Sequence, residues 1–402
     1  MAWWAKRIGV GVGALVALLC LAATLLPRYL DRIYYRGPVS DHFDGQRFFN
    51  PDGDDDRIVA PRGSRAGFIW RQATGSDGRP AWPDTVAVTP FKPPARVDGE
   101  RMLVTWIGHA TVLVQSNGIN ILTDPVYAER AGPLGLGPRR VAAPGVRFED
   151  LPKIDLVLVS HNHYDHMDLG TLKRLWTRDR PAIVTSLGNG TILRKAGMQA
   201  CEFDWGDGGW VRQIQAGSCA TPTTSARPDI FVRVLRNHHW GSRWFADRNR
   251  ALWSSFMVSL RGGRLYFAGD TGFGDGKWPE EARRAGPIRL ALIPIGAFRF
   301  APGQMQSGSH IGPIQAVEVF ERLGARYAFP IHWGTFRLSY EGWDTPPKLL
   351  DRVMLCRGLH DFTAYPIGVP VEVPPIDAPR AELPAYPKPP GCSARPFAPD
   401  LK

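Results

Sequence analysis

The segment from residue 154 to residue 166 constrains the fold of this chain more than any other. Residues 154–159 form a short, nearly continuous apolar run, which is typical of a strand buried on both faces. The run leads directly into S-H-N-H-Y-D-H at residues 160–166, with three histidines and an aspartate within six residues. His161 and His163 can both face one metal ion, while Asp165 and His166 turn toward a second. Neutral imidazole and carboxylate suit Zn²⁺, or Fe and Mn in a similar site.

Two metal ions need more ligands than one loop supplies, and suitable side chains follow other predicted strands. His238 and His239 come shortly after the run that ends at residue 235, Asp270 closes the run 265–270, and His332 follows the run 327–331. Any one of them is more often an ordinary buried histidine or a turn aspartate. Because all of them stand at strand ends, together they indicate one metal-binding edge.

Strand and helix patterns share one continuous stretch from about residue 100 to residue 370, which predicts a layered α/β body. Strands are predicted at 102–107, 111–115, 119–123, 154–159, 182–185, 231–235, 254–260, 264–268, 290–295 and 327–331, and helices at 169–178, 187–196 and 313–323. Ser116-Asn117-Gly118 between two β-branched runs is a strong hairpin signal.

These patterns divide the chain into four parts. They are an N-terminal segment 1–30, an irregular lead-in 31–100 that wraps the body, a catalytic domain 101–365 and a Pro-rich tail 366–402. Eleven of the 37 tail residues are proline, so we expect the tail to be extended over the surface.

Residues 8–26 contain no charged side chain, follow Lys6 and Arg7, and as a helix would reach about 28 Å, close to the thickness of a bilayer core. Trp3 and Trp4 stand where an interfacial aromatic belt would lie. The stretch is an uncleaved signal anchor, a cleaved signal peptide or a buried core helix. We favour the anchor, because the run is long and no clean cleavage site follows it. We expect a membrane-anchored protein whose catalytic body lies on the periplasmic side.

The chain has 49 Lys and Arg against 38 Asp and Glu, a net charge of +11, which favours anionic partners such as phospholipid head groups, nucleic acid or a phosphate-bearing substrate. Five arginines bracket His239, either as a solvated basic loop over core aromatics or as a rim for a head group: Arg233, Arg236, Arg243, Arg248 and Arg250. Five cysteines without a C-x-x-C pair argue against a disulfide scaffold and a cysteine zinc module. The pairing of four of them stays open: Cys201, Cys219, Cys356 and Cys392.

Several motifs together resemble the metallo-β-lactamase superfamily, specifically the branch that contains N-acyl-phosphatidylethanolamine-hydrolysing phospholipase D and its bacterial relatives. They are I-G-H-A-T at 107–111, L-T-D-P at 122–125, S-H-N-H-Y-D-H at 160–166, G-D-T-G at 269–272 and I-H-W-G-T-F at 331–336. The resemblance covers roughly residues 95–345 and implies an αββα sandwich that binds one or two metals at one edge.

By position, the resemblance implies a ligand set for two zinc ions. His161, His163 and His239 would hold the first, Asp165, His166 and His332 the second, and Asp270 would bridge them. His239 is chosen over His238 because the family's metal histidine directly precedes a tryptophan, here Trp240. His310 matches a further active-site histidine, 22 residues before His332. Asp124 is either a carboxylate that orients a ligand or a simple turn residue, and His109 is structural.

The resemblance also implies the activity. A bimetal-activated hydroxide would hydrolyse the phosphodiester of N-acyl-phosphatidylethanolamine-like lipids, as a phospholipase D does. His310 would meet a phosphate oxygen and Asp270 would accept a proton from the attacking water. Arg299, Phe300 and Met305 are candidates for the substrate rim, although residues 301–309 depart from the family pattern.

Three other functions remain open on the sequence alone. The same metals could hydrolyse another bond, in a lactone, a β-lactam or a sugar phosphate. A nuclease is suggested by the positive charge, but the N-terminal anchor argues against it, and no nucleic acid partner is expected. A non-catalytic envelope protein is disfavoured by the complete ligand set.

Overall fold

The computed structural model describes residues 2–53, 80–219, 230–244, 246–300, 307–379 and 392. In chain order the strands are β1 Met102–Gly108, β2 Thr111–Ser116, β3 Ile119–Thr123, β4 Leu156–Val159, β5 Ala182–Ser186, β6 Cys201–Phe203, β7 Gly208–Trp210, β8 Phe231–Leu235, β9 Ser255–Ser259, β10 Arg264–Phe267, β11 Ile288–Pro294, β12 Tyr327–Ile331 and β13 Pro370–Val373. The helices are α1 Ala2–Leu30, α2 Leu169–Asp179, α3 Asn189–Lys195, α4 Val211–Gln215, α5 Trp278–Arg284, α6 Pro313–Leu323 and α7 Thr345–Arg357.

These strands form two sheets. The first has the order β13-β1-β2-β3-β4-β5-β6, antiparallel from β13 to β3 and parallel from β3 to β6. The second has the order β12-β11-β10-β9-β8-β7, parallel from β12 to β10 and antiparallel beyond. The predicted hairpin at residue 117 is confirmed as the β2–β3 turn, where Asn117 and Gly118 have φ of +56° and +73°.

Strand β4 shows why the sheets are layered between helices. All four of its residues are buried, Leu156 and Leu158 in the core between the sheets and Val157 and Val159 in a second cluster that contains α2 and α3 side chains. A third cluster covers the outer face of the second sheet with side chains of α5, α6 and α7. The architecture is therefore the expected α/β sandwich with αββα layers.

The apolar N-terminal segment lies in α1, a helix of 29 residues. A span of 21 residues, Val10–Leu30, is long and apolar enough to cross a membrane, and none of it is buried. This exposure rules out the core-helix interpretation and leaves α1 as a candidate anchor or signal sequence.

The chain on either side of the body also packs onto it. Residues 31–53 contact the loop that leads away from His239: Asp31 pairs with Arg250 at 2.7 Å, and the Tyr34 hydroxyl donates to Asp247 at 2.7 Å. At the other end, β13 lies within the segment assigned to the Pro-rich tail and pairs with β1 as an edge strand. Residues 54–79 and most of the tail beyond 379 lie outside the described residues.

Two disulfides lie within the described part of the chain. Cys201 bonds to Cys219, and Cys356 near the end of α7 bonds to Cys392. Cys20 in α1 is a free, exposed cysteine. The pairing that the sequence left open is thus Cys201–Cys219 and Cys356–Cys392, while the buried clusters and not these bridges form the core.

Candidate metal centre

The loop between β4 and α2 carries four of the expected ligands, and local hydrogen bonds determine its shape. The backbone N–H groups of His166 and Met167 both donate to the His163 carbonyl, at 3.2 and 2.8 Å, which closes a tight turn. Asp168 then caps α2 by accepting from the N–H groups of Gly170 and Thr171. The loop is therefore bounded by a buried strand at one end and a capped helix at the other.

Three histidines form one group of donor atoms. His161 Nε2 lies 2.8 Å from His163 Nδ1, and His239 Nε2 lies 3.4 Å from that same His163 nitrogen. Ligands of a tetrahedral zinc at 2.0–2.1 Å are about 3.3 Å apart. The spacing therefore suits a single ion held between the three side chains.

A second group contains two carboxylates and two histidines. Asp165 Oδ2 lies 3.5 Å from both His166 Nε2 and His332 Nε2, and Asp270 Oδ2 lies 3.0 and 2.9 Å from the same two nitrogens. Asp270 Oδ2 is also 4.0 Å from His239 Nε2, in the first group. The Asp270 carboxylate thus stands between the two groups.

Unsatisfied polar atoms in this cluster test whether a metal fits. His166 Nε2 and His332 Nε2 are buried and lie beside the Asp270 carboxylate without a well-aligned hydrogen bond to it, and Asp270 Oδ1 is buried with no hydrogen-bond partner. Leaving several buried polar atoms unpaired is costly, about 1–3 kcal/mol for each group. Since these atoms are nitrogen and carboxylate oxygen donors that converge, divalent metal ions would satisfy them, and the side chains fit such ions.

The first group holds its histidines in the form that binds metal. Burial and the neighbouring histidines lower the pKa of His161 and His239 well below 6.5, and burial lowers the pKa of His163 to about 4. All three imidazoles are therefore neutral near pH 7. Neutral imidazole has a free lone pair for a metal, so this group needs to release no proton on binding.

The second group is different because carboxylates lie within it. Burial alone would lower the pKa of its histidines, but the Asp270 and Asp165 carboxylates outweigh it and raise the pKa of His332 to about 9 and of His166 well above 6.5. In return, the two imidazolium groups outweigh burial and hold the pKa of both aspartates well below 3.8. In the metal-free protein, protons take the place of a cation here.

The nitrogens that face away from the centre are held by other groups, which fixes the ring orientations. His166 Nδ1 donates to Asp124 Oδ2 at 2.6 Å, and Asp124 also accepts from the Ser160 backbone N–H and hydroxyl. His239 Nδ1 donates to the Ser309 carbonyl at 2.8 Å. Such contacts decide which nitrogen of each ring faces the metal.

Three of the nine non-glycine residues with left-handed backbone in the described part of the chain lie at this centre. His332, His109 and Asp124 have φ of +63°, +54° and +31°. The His332 N–H donates to the His109 carbonyl at 3.0 Å, and the His109 N–H donates to Thr335 Oγ1 at 2.7 Å. Such backbone costs about 1–3 kcal/mol per residue and persists where surrounding contacts enforce it, commonly at functional sites.

The structure distinguishes the two adjacent histidines. His239 points into the first group, whereas His238 Nδ1 lies 3.0 Å from Asp52, a residue of the lead-in. Asn50, two residues earlier, donates to the His239 carbonyl at 2.9 Å. The lead-in therefore supports the His239 backbone from outside the body.

The structure describes three of the residues expected on the substrate side, and they differ in their contacts. His310 lies beside both groups, with its ring 5.1 Å from that of His239 and its Nδ1 3.7 Å from Asp270 Oδ2. Phe300 packs with its ring 5.8 Å from the His310 ring, and Arg299 is buried with its backbone N–H donating to the Glu341 carboxylate. Met305 lies outside the described residues.

The arginines around His239 are mostly engaged within the protein. Arg236 pairs with Asp52, Asp275 and Glu281, and Arg250 pairs with Asp31. Arg243 is buried and donates to the carbonyls of Asn162 and Met167 on the ligand loop. These three arginines thus stabilise the framework instead of forming an open rim.

Two residues contact the expected metal-binding residues or their loop in a way that the sequence did not predict. His109, interpreted as structural, donates from Nε2 to Asp165 Oδ2 at 2.9 Å, and its ring packs 4.2 Å from that of His332. Arg243 supports the ligand loop as described above and lies over the Tyr164 ring at 3.7 Å. The contacts join residues more than 50 positions apart, so local pattern carries no signal for them.

Comparisons with known proteins agree with this geometry. The Beta-lactamase superfamily domain matches residues 119–333. N-acyl-phosphatidylethanolamine-hydrolyzing phospholipase D 1 of Caenorhabditis elegans is 36% identical over 256 residues, covering 61% of this chain and 68% of that protein. A mitochondrial N-acyl-phosphatidylethanolamine-hydrolyzing phospholipase D of Saccharomyces cerevisiae is 31% identical, covering 64% of this chain and 53% of that protein. The structure of a metallo-hydrolase from Ignicoccus hospitalis superposes with a TM-score of 0.50 at 18% identity, over 68% of this chain and 98% of the other.

This chain belongs to the β-lactamase superfamily, and it is a metal-dependent hydrolase. The superfamily resemblance drawn from the motifs is thereby confirmed, and the Ignicoccus likeness supports the αββα fold alone.

Proposed function

We propose that this protein is a phosphodiesterase of the phospholipase D type, acting on N-acyl-phosphatidylethanolamine-like lipids with two zinc ions per chain. The observation that carries the proposal is the pair of donor groups that share Asp270, with His310 beside both. The names of the worm and yeast relatives supply the substrate class. The products would be a phosphatidic acid and an N-acylethanolamine.

Each residue has a distinct part in this proposal. His161, His163 and His239 would hold one ion, and Asp165, His166 and His332 the other, with Asp270 between them. Bound metals of this kind supply hydroxide at neutral pH and polarise phosphoryl oxygens. Burial lowers the pKa of His310 to about 4, so its ring is neutral near pH 7 and presents one N–H to a substrate oxygen. The Asp270 carboxylate, which stands between the two donor groups, would accept a proton from the attacking water and pass it to the departing alcohol oxygen.

The substrate side would be bounded by Phe300, Arg299 and Met305. Phe300 offers an apolar ring beside His310, as an acyl chain requires. The catalytic domain predicted at 101–365 would extend to residue 373, because β13 pairs with β1 in the first sheet, and it would lie between the wrapping lead-in and the rest of the Pro-rich tail.

The proposal includes a location for the catalytic body. Helix α1 would anchor the protein in a membrane, with the body on the periplasmic side. The two disulfides support this side, because disulfides persist in oxidising compartments. If protease digests the body in cells whose outer membrane alone has been opened, the result agrees with the proposal. If the body is protected until the inner membrane is broken, the result contradicts it.

Metal content and turnover test the activity together. Wild-type protein should carry about two zinc ions per chain and cleave N-acyl-phosphatidylethanolamine in mixed micelles, while His163→Ala should lose zinc and turnover. His238→Ala is the matched control, because His238 is adjacent to His239 and faces Asp52. Two metals without cleavage of the lipid would refute the substrate, and lactone, β-lactam and sugar-phosphate substrates would then be assayed. Absence of bound metal after zinc loading would refute the whole proposal.

A further inference from the structure

A projecting hairpin, residues 129–140, lies between β3 and β4. Its two sides are joined by backbone hydrogen bonds from Ala131 N to the Pro138 carbonyl at 3.0 Å and from Arg140 N to the Glu129 carbonyl at 2.8 Å. A 3₁₀ turn at Pro133–Gly135 forms its tip, and the Arg130 guanidinium donates to the Gly137 carbonyl across it. The tip is therefore a hydrogen-bonded turn, and its residues 134–137 are exposed.

The tip presents two leucines to solvent. Leu134 is 88% exposed and Leu136 is 64% exposed. Outside α1 and the residues that follow it, the other exposed large apolar side chains in the described part of the chain are Leu355 at 46% and Val369 at 41%. Single exposed leucines are ordinary, but two on one projecting tip form an apolar surface that water does not favour.

The sides of the hairpin are basic. Arg130 and Arg139 are exposed, and the Arg130 guanidinium bonds to a backbone carbonyl of the hairpin itself. Glu129 is the one acidic side chain on the hairpin. An apolar tip with basic side chains on either side of it matches an anionic lipid interface. There the leucines would enter the acyl region and the guanidinium groups would remain with the lipid phosphates.

The base of the hairpin is fixed to the metal centre. Arg140 lies over the Phe336 ring at 4.8 Å, and the Phe336 ring packs edge-on against His109 at 5.2 Å. On the other side, the N–H groups of Tyr127 and Ala128 donate to Asp168 Oδ2, next to the ligand loop. A membrane contact at the tip would therefore fix the orientation of the metal centre relative to the bilayer.

We propose that Leu134 and Leu136 insert into an anionic lipid surface, making this hairpin a second membrane contact beside α1. The contact would hold the metal centre near the bilayer so that a lipid substrate enters it without crossing bulk water. The insertion stands on the hairpin alone, whereas substrate delivery rests on the proposed function.

Fluorescence depth measurements test the insertion without any enzymatic readout. Full-length protein with Cys20→Ser and Leu134→Cys, labelled with a polarity-sensitive dye, is placed in nanodiscs of phosphatidylcholine and phosphatidylglycerol. We expect blue-shifted emission and quenching by nitroxides on the lipid acyl chains. Val369→Cys in the same background is the control, because Val369 is exposed and lies outside the hairpin. Equal, weak quenching at both positions would overturn the proposal. A blue shift that appears only at high protein concentration in detergent would indicate self-association of the protein and would also overturn it.

A paired activity measurement separates the hairpin from the catalytic centre. Leu134→Ser with Leu136→Ser should lower turnover of vesicle lipid about a hundredfold, since burial of each leucine is worth about tenfold. Turnover of a water-soluble chromogenic diester reports whether the centre is intact. Equal losses on both substrates would overturn substrate delivery. If the dye inserts but the protein cleaves neither substrate, the result would refute the proposed function and leave the membrane contact standing.

Discussion

Replacing Asp124 by asparagine removes one charge from beneath the second donor group and tests how ring orientation governs metal binding. Asp124 is fully buried and accepts three hydrogen bonds, from the Ser160 N–H at 2.7 Å, the Ser160 hydroxyl at 2.5 Å and His166 Nδ1 at 2.6 Å. An asparagine amide can accept with its oxygen at one side only. If the oxygen keeps the Ser160 N–H, the amide NH₂ faces His166 Nδ1. The ring proton then moves to Nε2, the nitrogen that should bind metal.

The size of the effect follows from the bond that is lost. A hydrogen bond to a charged group contributes about 1.5–3 kcal/mol, and loss of a carboxylate behind a metal ligand lowers metal affinity roughly tenfold to a hundredfold. We expect this loss for the second ion and a smaller one for the first, where Ser160 also contacts His161 at 2.9 Å. Competition with a chromogenic chelator should separate a tight from a weakened site.

Asp168→Asn provides the matched control. Asp168 is a nearby carboxylate that accepts backbone N–H groups at the start of α2 and contacts none of the donor groups. Its variant should lose less than about 1 kcal/mol of stability, because asparagine caps a helix about as well as aspartate, with metal affinity unchanged. If folded Asp124→Asn binds both ions as tightly as wild type, the orientation argument is wrong.

Three other expectations concern pH, the ligand loop and the core. Because the pKa of His332 is raised to about 9, metal binding near pH 7 should release protons, and metal affinity should therefore rise with pH in calorimetric titrations. In the metal-free protein, the stability that protonated His332 contributes should be complete below pH 6.5 and should be lost as the pH rises through about 9. Arg243→Met removes two hydrogen bonds to ligand-loop carbonyls. It should reduce the free energy of zinc binding by more than it reduces the free energy of unfolding. Leu158→Ala in β4 should lower the free energy of unfolding by about 2–5 kcal/mol in denaturant titrations, because the side chain is fully buried.

Each of these has an outcome that contradicts it. Zinc affinity that is flat from pH 6 to pH 9 would remove the imidazolium–carboxylate account of the second group. Wild-type zinc affinity in Arg243→Met would show that the loop needs no such support. A loss for Leu158→Ala no larger than for exposed Leu355→Ala would contradict the burial of β4.

The local part of the fold could be predicted because it depends on near neighbours. The helix from Pro313 to Leu323 has the predicted bounds, since Pro at its first turn and Gly324 beyond its end are signals within the segment itself. Short or weakly patterned elements were missed, among them β6, β7, α4, α5 and α7. Strand β13 was missed because Pro-rich sequence was interpreted as a tail, although proline is compatible with the first position of an edge strand.

The sequence by itself determined the chemistry of this protein. A strand buried on both faces, a His/Asp loop at its end and further His and Asp residues at other strand ends specify a metal-binding edge, because strand period and ligand type are properties of the residues themselves. Only the tertiary structure decided which groups meet. It set His109 against Asp165, neutralised Arg236 and Arg250 with lead-in carboxylates, paired the cysteines and left Leu134 in solvent. Those outcomes depend on contacts between residues far apart in sequence, which packing of the two sheets brings together and local pattern does not encode.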